Sequence, residues 1–580
     1  MYSLHPGLIL ILAGILILIL PKKAEKWIAL FGSIAAMGAW FTLSVDSKME
    51  MNLFGLANCS LMKVDQISKI FSLIFVIIAL ISAIYSFRTI GKGQKTALLI
   101  YAGGSICTVL SADLISFLCF WELMAIASAY AVYAGSGPDA KRSSFRYLIM
   151  HLFGGNMVLA GVIVLQTQGI TQVTNISDVS GAAFWLMLIG IGINAAMPPF
   201  HTWLPDSYPE ATPEGMVYLG SFTTKVAIYA LIRFFAGTEW LALYGVLMSI
   251  FAACMAMIAN DLRKILSYHI ISQLGMMIAG LATGSAAGIA GATLHAAFHI
   301  MYKGTLIMGI GNIFYATGGL RKVSDLAGMW KKMPFTAICF LIASLSIAGF
   351  PFLNGFAGKT LTMHALSDAG MGATHILMAV AGVGTWLSVT LKINWFVFFR
   401  KPETKEQEAV KCEKVPLYRN LAIGAGAALC VLNGVWPNLA FGMIGQETGH
   451  YHLFSAVHIL QYIVLFAAAT VPFIVLYRRM KPHEGFNLDL DYFYRKAIPV
   501  VVYALAKAFH AAFGFCMGIY DKVAAWLSNV VNMPYALRRR YGDQEILEDE
   551  ERLPIGVTIN LIGFFLIMAL IIVILIQAFG

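Results

Sequence analysis

Charge is what this chain has least of. Of its 580 residues, 12% are Asp, Glu, Lys or Arg, against about 25% in soluble globular domains. Hydrophobic residues make up 59%, and the mean hydropathy is +0.76. That balance excludes a soluble multidomain enzyme, a disordered chain and a secreted disulfide scaffold. The eight cysteines form no CxxC pair, which removes the usual frameworks for zinc ribbons, iron–sulfur clusters and c-type haem. HExxH and nucleotide-binding loops are missing too. The N-terminal MYSLHPGLILILAGILILILPKK has neither the basic start nor the small-residue cleavage site of a signal peptide, and reads as a retained first span.

What the chain does have is apolar length. About 20 apolar residues cross a bilayer, and about sixteen candidate spans follow. They lie near 5–20, 27–44, 70–87, 97–111, 113–134, 146–166, 182–200, 214–235, 241–259, 265–283, 287–317, 335–367, 372–399, 418–436, 454–477 and 555–579. The basic residues test this reading, because Lys and Arg favour cytoplasmic loops. Lys22, Lys23 and Lys26 follow span 1, Arg88, Lys92 and Lys95 span 3, Lys141 and Arg142 span 5. Arg263 and Lys264 follow span 9, Arg321 and Lys322 span 11, Arg400 and Lys401 span 13, Arg478 and Arg479 span 15. Loops 167–181, 368–371 and 437–453 hold no Lys or Arg, and 45–69 is the exception, with Lys48, Lys63 and Lys69. Both termini are therefore expected outside, in the periplasm or exterior, and the net charge of +10 is mostly topological rather than a nucleic-acid footprint.

Residues 493–531 break the pattern. Tyr503, Lys507, His510, Gly514, Gly518 and Asp521 recur on one helical face, with Arg495 and Lys496 before and Arg538 to Arg540 after. The stretch reads as an amphipathic helix along the cytoplasmic interface. A seventeenth span is the alternative, opposed by Lys507, Asp521 and Lys522.

Four charges sit inside apolar runs: Glu122, Lys225, Lys303 and Lys359. Each costs about 2.5–3.5 kcal/mol or more at mid-membrane. Such groups must be paired, hydrated or neutral, and burial in general disfavours the charged form. His295, His299 and Lys303 recur at i, i+4 and i+8, one face over two turns. That row suits a proton relay. Zinc lacks a third ligand, and a pair of satisfied core histidines is the other reading. Asp113 and Glu122 offer oxygen ligands, which do not by themselves make a sodium site.

Two spans look interrupted. Span 7 runs into AAMPPFHTWLPDSYPEATPEG, with Pro198, Pro199, His201, Pro205 and Asp206, and span 12 holds AGFPFLNGFAGK, with Gly349, Pro351, Gly355 and Gly358. Membranes tolerate such breaks where protein or water satisfies the freed backbone. Paired breaks point to an inverted-repeat transporter, here spans 4–8 and 9–13. The expected organisation is 1–96 (spans 1–3), 97–235 and 236–400 (the two repeats), 401–480 (spans 14–15), 481–553 (lateral helix and charged linker) and 554–580 (a final anchor).

HTWLPDSYPEATPEG, TTKVAIYALIR, NDLRKILSYHIISQLG, LHAAFHIMYKGTLIMGIGNI and MPFTAICFLIASLSIAGFPFLNGFAGK resemble the antiporter-like proton-translocating membrane subunits. That family includes the membrane-arm subunits of respiratory complex I, Mrp-type Na+/H+ antiporter subunits and counterparts in membrane-bound hydrogenases. The resemblance covers about residues 60–440; RYLIMHLFGGNMVLAG and the length look most like Mrp D-type or hydrogenase-associated members. It implies fourteen core helices with two half-channels. It implies a relay of Glu122 (tuning a neighbouring lysine), Lys225, His295, His299 and Lys303, with Lys359 at the exit. The long helix before the last span resembles the lateral arm of the largest complex I antiporter-like subunit. One position departs: the family's lysine nine residues before the Trp of HxWLP is Asn194 here, which cannot take up a proton. The implied protein is a subunit of a larger inner-membrane complex that moves H+, with Na+ exchange left open. No cofactor or metal is expected, and any redox chemistry would lie in partner subunits. A standalone secondary transporter, or a coupling subunit of another system such as inorganic-carbon uptake, is the alternative.

Overall fold

The computed structural model describes residues 4–53, 57–135, 137, 139–445, 454–477, 481 and 489–541. The expected anchor 554–580, the linker 542–553 and the basic pair Arg478 and Arg479 lie outside them. The chain divides into two units, Met1–Tyr492 and Phe493–Gly580.

The first unit starts with α1 (Pro6–Ile19) and α2 (Glu25–Phe41), then a hairpin of β1 (Lys48–Leu53) and β2 (Ala57–Lys63). It continues with α3 (Gln66–Tyr85), α4 (Lys92–Leu110), α5 (Leu114–Tyr133), α6 (Ala140–Thr167) and α7 (Ala182–Asn194). Next come α8 (Trp203–Ser207), α9 (Pro213–Ser221), α10 (Thr223–Phe235), α11 (Trp240–Ile258), α12 (Leu262–Leu281) and α13 (Ala286–Ala316). After α14 (Met329–Lys332) follow α15 (Pro334–Ala348), α16 (Asn354–Asp368) and α17 (Gly372–Thr385). α18 (Lys405–Ala409), α19 (Leu417–Val435), α20 (Asn438–Met443) and α21 (Ala456–Leu476) complete the series. The hairpin corrects the expectation of a purely helical chain. Two of the three lysines of the charge exception, Lys48 and Lys63, face each other across its base.

By length and composition, seven described helices can cross a membrane, counting Pro213–Phe235 and Gly372–Phe399 as continuous, and four shorter ones are apolar. Others expected to span are too short, carry more polar side chains or are interrupted. α13 is the hub. It packs on α3, α9, α12, α15, α16 and α19 and is buried on almost every side, as a helix enclosed by others must be.

Local chemistry sets the helix starts. Asp65, Asp113, Asp261 and Ser285 accept backbone N–H bonds at the N-termini of α3, α5, α12 and α13. Asp113 and Asp261 also take part in isolated antiparallel bridges, to Gln172 after α6 and to Lys322 after α13. The same cap-and-bridge device thus occurs twice, around α5–α6 and around α12–α13.

Loops expected on one side are tied together. Arg321 bonds both Glu210 (3.1 Å) and Asp261 (2.9 Å), Arg263 donates to the carbonyls of Pro209 and Ala211, and Lys481 donates to Glu403 at 2.8 Å.

In the second unit, the helix expected at 493–531 is longer: α22 runs Asp491–Tyr541, 51 residues, or about 75 Å at 1.5 Å per residue. Its described apolar side chains, Val500, Phe509 and Trp526 among them, are exposed.

Candidate functional site

The site begins where helices stop. α15 ends at Ala348, Gly349 turns left-handed at φ +87, and α16 restarts at Asn354. The expected break at Pro351 and Gly355 is therefore present. Ending a helix frees its last carbonyls, and Lys359 Nζ donates to one of them, on Ile347. Gly355 and Gly358 make this possible: a Cβ on Gly355 would run into the Ser346 carbonyl, and one on Gly358 would press on the His295 backbone at 3.0 Å. The close approach sets Lys359 beside α13. A cavity of about 480 Å³ adjoins Lys359, lined also by Thr360, His364, His375 and Tyr462.

On α13, His295, His299 and Lys303 are wholly buried. His295 Nε2 lies 3.2 Å from Gln273 Oε1, and the Gln273 amide reaches Thr385 at 3.3 Å. His299 and Lys303 Nζ make no hydrogen bond among the described residues. His299 stands within electrostatic reach of Lys225, Lys303, His295 and Lys359. After Thr385 the chain widens into π-helical turns at Trp386–Leu391 and Asn394–Phe399, a distortion often found at functional positions. The first turn offers the Ser388 hydroxyl to His269 at 2.7 Å.

The first break lies between α7 and α8. Asn194 ends α7, the chain passes through a cis Pro198–Pro199 bond, and Trp203 opens α8. The Trp203 indole donates to the freed Ile193 carbonyl at 2.9 Å. His201 is buried, and its Nε2 lies 3.1 Å from Asp489 Oδ1, while the Tyr268 hydroxyl donates to Asp489 Oδ2 at 2.7 Å. Burial works to raise the Asp489 pKa, but the bond and charge of His201, with the bonds from Tyr268 and the Leu490 backbone, outweigh it and hold the carboxyl below its usual value. Pro205 lies within α8, and Asp206 faces Arg146 at 3.6 Å near the surface. Lys225 sits three residues past the interruption between α9 and α10, fully buried. It donates to the Gly220 carbonyl at 2.5 Å and the Thr224 hydroxyl at 3.1 Å.

The structure thus buries Lys225, Lys303, His295 and Lys359 within electrostatic reach of His299. Glu122 stands apart: it is half-buried on α5, its carboxylate resting over Gly155 of α6. Several groups escaped the sequence reading. His151, buried on α6, and His269 both lay within quoted motifs. Lys392, also buried, donates to the carbonyls of Met257 and Ala259 at the end of α11, both at 2.6 Å, and a lysine inside LKINWFVFF was its signal. Arg419 pairs with Glu214, both almost wholly buried, with Tyr85 and Tyr315 rings 4.6 Å from its guanidinium. Among the described residues, no group of three or more His, Cys, Asp or Glu could hold a metal.

Fold and site together define a multi-pass helical membrane protein with two broken helices and a cluster of buried titratable groups. A family model described as NADH:quinone oxidoreductase/Mrp antiporter, TM, matches residues 111–388. A chain carried under the name antiporter subunit mnhD2 in Staphylococcus saprophyticus is 30% identical over 365 residues, 60% of this chain and 72% of that one. The fold matches a chain of the Mrp complex from Dietzia sp. DQ12-45-1b with TM-score 0.67 at 20% identity, covering 80% of this chain and 98% of that one. It matches a chain of Thermus thermophilus respiratory complex I, solved with bound aureothin, with TM-score 0.65 at 22% identity, covering 75% and 98%. This chain belongs to the family of antiporter-like membrane subunits shared by NADH:quinone oxidoreductases and Mrp antiporters.

Proposed function

We propose that the chain is a proton-translocating subunit of a multisubunit membrane complex of the Mrp antiporter or complex I and hydrogenase type. Protons pass along Lys225, His299, Lys303 and His295 to Lys359, and leave through the cavity beside it. The observation that carries this reading is Lys303: a fully buried amine with no hydrogen bond among the described residues, flanked by other titratable groups. Inside a weakly screened interior, charge on one such group acts strongly on the next, so each transfer readies its neighbour. One charge crossing 100 mV involves about 2.3 kcal/mol, which a few coupled sites can supply.

Two five-helix repeats of opposite orientation frame the path. The duplicated cap-and-bridge device supports them. The ties among the loops around 210, 261 and 321 support one shared side for these loops, the cytoplasmic side by the Lys and Arg count. α22 would lie along the interface and meet neighbouring subunits, a reading its exposed apolar side chains support, with a further span over 496–527 as the alternative.

The test is proton uptake in inverted vesicles holding the complete complex, with and without Na+. Lys303→Ala and Lys225→Ala should each abolish uptake while assembly persists. Unchanged uptake in both would remove the relay. A Na+ requirement would favour exchange over proton movement alone.

A further inference from the structure

We infer that His151 is a proton carrier of the first repeat, the counterpart there of His299; this rests on the relay reading above. Three observations converge on it.

The first is register. Asp113 and Asp261, the caps of α5 and α12, are 148 positions apart, and their bridge partners Gln172 and Lys322 are 150 apart. Carrying His151 forward by either spacing lands on His299 or Met301, on the hub helix. The second is environment. Both imidazoles are wholly buried; neither nitrogen of His299 has a hydrogen-bond partner among the described residues, and His151 has only the neutral Asn194 amide nearby, in a contact too poorly formed to satisfy either nitrogen. Buried polar atoms are almost always bonded, so a core histidine kept for packing would have at least one nitrogen satisfied. Both rings also lean on aromatics: His299 on Tyr302 at 5.3 Å, His151 on Tyr147 at 4.1 Å and Trp203 at 4.4 Å between centroids.

The third observation is what surrounds His151. Gly154 and Gly155, three and four residues on, share its helix face. A side chain at Gly155 would collide with the Glu122 carboxylate, and one at Gly154 would meet Asn194 Oδ1 at 3.4 Å. The two glycines hold open the space in which α5, α6 and α7 bring Glu122, His151 and Asn194 together. Around His151, Tyr147 on its own helix packs on the ring, Glu122 from α5 rests over Gly155 one turn along, Tyr208 packs edge-on against the Trp203 that covers the ring, and α7 offers only the neutral Asn194. On the far side, the Tyr147 hydroxyl donates to Ser128 at 2.9 Å and approaches Thr223 Oγ1 at 3.4 Å. Thr223 shares a 2.5 Å bond with Tyr101, and the next residue, Thr224, accepts from Lys225. A proton taken up on a ring nitrogen makes an imidazolium, countered by the Glu122 carboxylate one turn along. It leaves toward Lys225 across the hydroxyl set, and the ring returns to neutral.

The experiment uses the complete complex in sealed vesicles under an imposed potential, with proton flux read by an entrapped pH dye. His151→Gln, which keeps a polar side chain of modest size but cannot titrate, should lower flux about 100-fold, the lower end for loss of a positioned proton-transfer group. Two variants restore a titratable group: His151→Lys, and Asn194→Lys placed in the His151→Gln background. At least one should regain flux, with a pH profile displaced from that of the parent. Wild-type flux in His151→Gln would overturn the inference. So would loss of flux that neither replacement restores in an assembled complex, since that is a structural role. Lys303→Ala, run alongside, separates the two readings: if it transports normally the relay itself fails, whereas a dead Lys303→Ala beside an active His151→Gln removes His151 alone.

Discussion

The two broken helices solve one problem in different ways. Each break frees a carbonyl near the end of its first half, Ile193 in α7 and Ile347 in α15. The first is capped by the indole of Trp203, the second by the amine of Lys359. An indole N–H is a donor that never changes charge near neutral pH, while an amine can. The second break therefore links backbone geometry to protonation, and the first does not. At the first, the titratable groups stand off the break, on α5, α6 and α10. Two helices broken in the same way need not carry the same chemistry.

That contrast can be attacked from several directions. The largest effect should come from Lys359→Met, which keeps the stem and removes the amine: proton flux should fall about 100-fold or more, whereas Trp203→Phe should leave most of it. Equal losses in both would erase the distinction. Next comes the pair that ties α9 to α19. Glu214→Gln leaves Arg419 buried with its charge uncompensated and should cost about 3–5 kcal/mol, read as thermal unfolding of the purified complex in detergent. Trp203→Phe itself should cost about 1–3 kcal/mol, the penalty of an orphaned buried carbonyl, without altering the pH profile of transport.

The smallest effect belongs to Asp489. Its carboxyl titrates below the ordinary value of about 3.9, so what it contributes is fully present at neutral pH and lost only as pH falls through the lower, folded value. Asp489→Asn should therefore weaken the tie at His201 at pH 7 and flatten the acid limb of a stability–pH curve. Hydrogen exchange over residues 195–202 should rise in this variant and stay level over 349–353, where no such tie exists. Faster exchange in both segments would mean a general loosening.

Much of this site was legible beforehand because helices have a period. His295, His299 and Lys303 had to share a face of whatever helix carried them, and the proline and glycine clusters had to interrupt theirs. The break at Phe222 ahead of Lys225 was not legible: Gly220 precedes it, but a single glycine without a proline is no strong sign that a helix is interrupted. The hairpin at 48–63 was hidden in a polar loop with no strong turn signal. His151 looked like one more residue of an apolar helix, since its meaning depends on Glu122 and Asn194, which come from two other helices. The Asp489 tie joins residues 288 positions apart, a relation no local pattern encodes.

Composition and periodicity by themselves determined that this chain lives in a membrane, that it carries charges inside its apolar runs, and where the two proline- and glycine-rich spans must be interrupted. They could do so because the bilayer imposes length and polarity rules on each segment separately. Only the tertiary structure decided which donor meets each freed carbonyl, which imidazoles go without a partner, and which buried charges share one weakly screened space. Those outcomes depend on distances between segments far apart in the chain, and they are set when the helices pack.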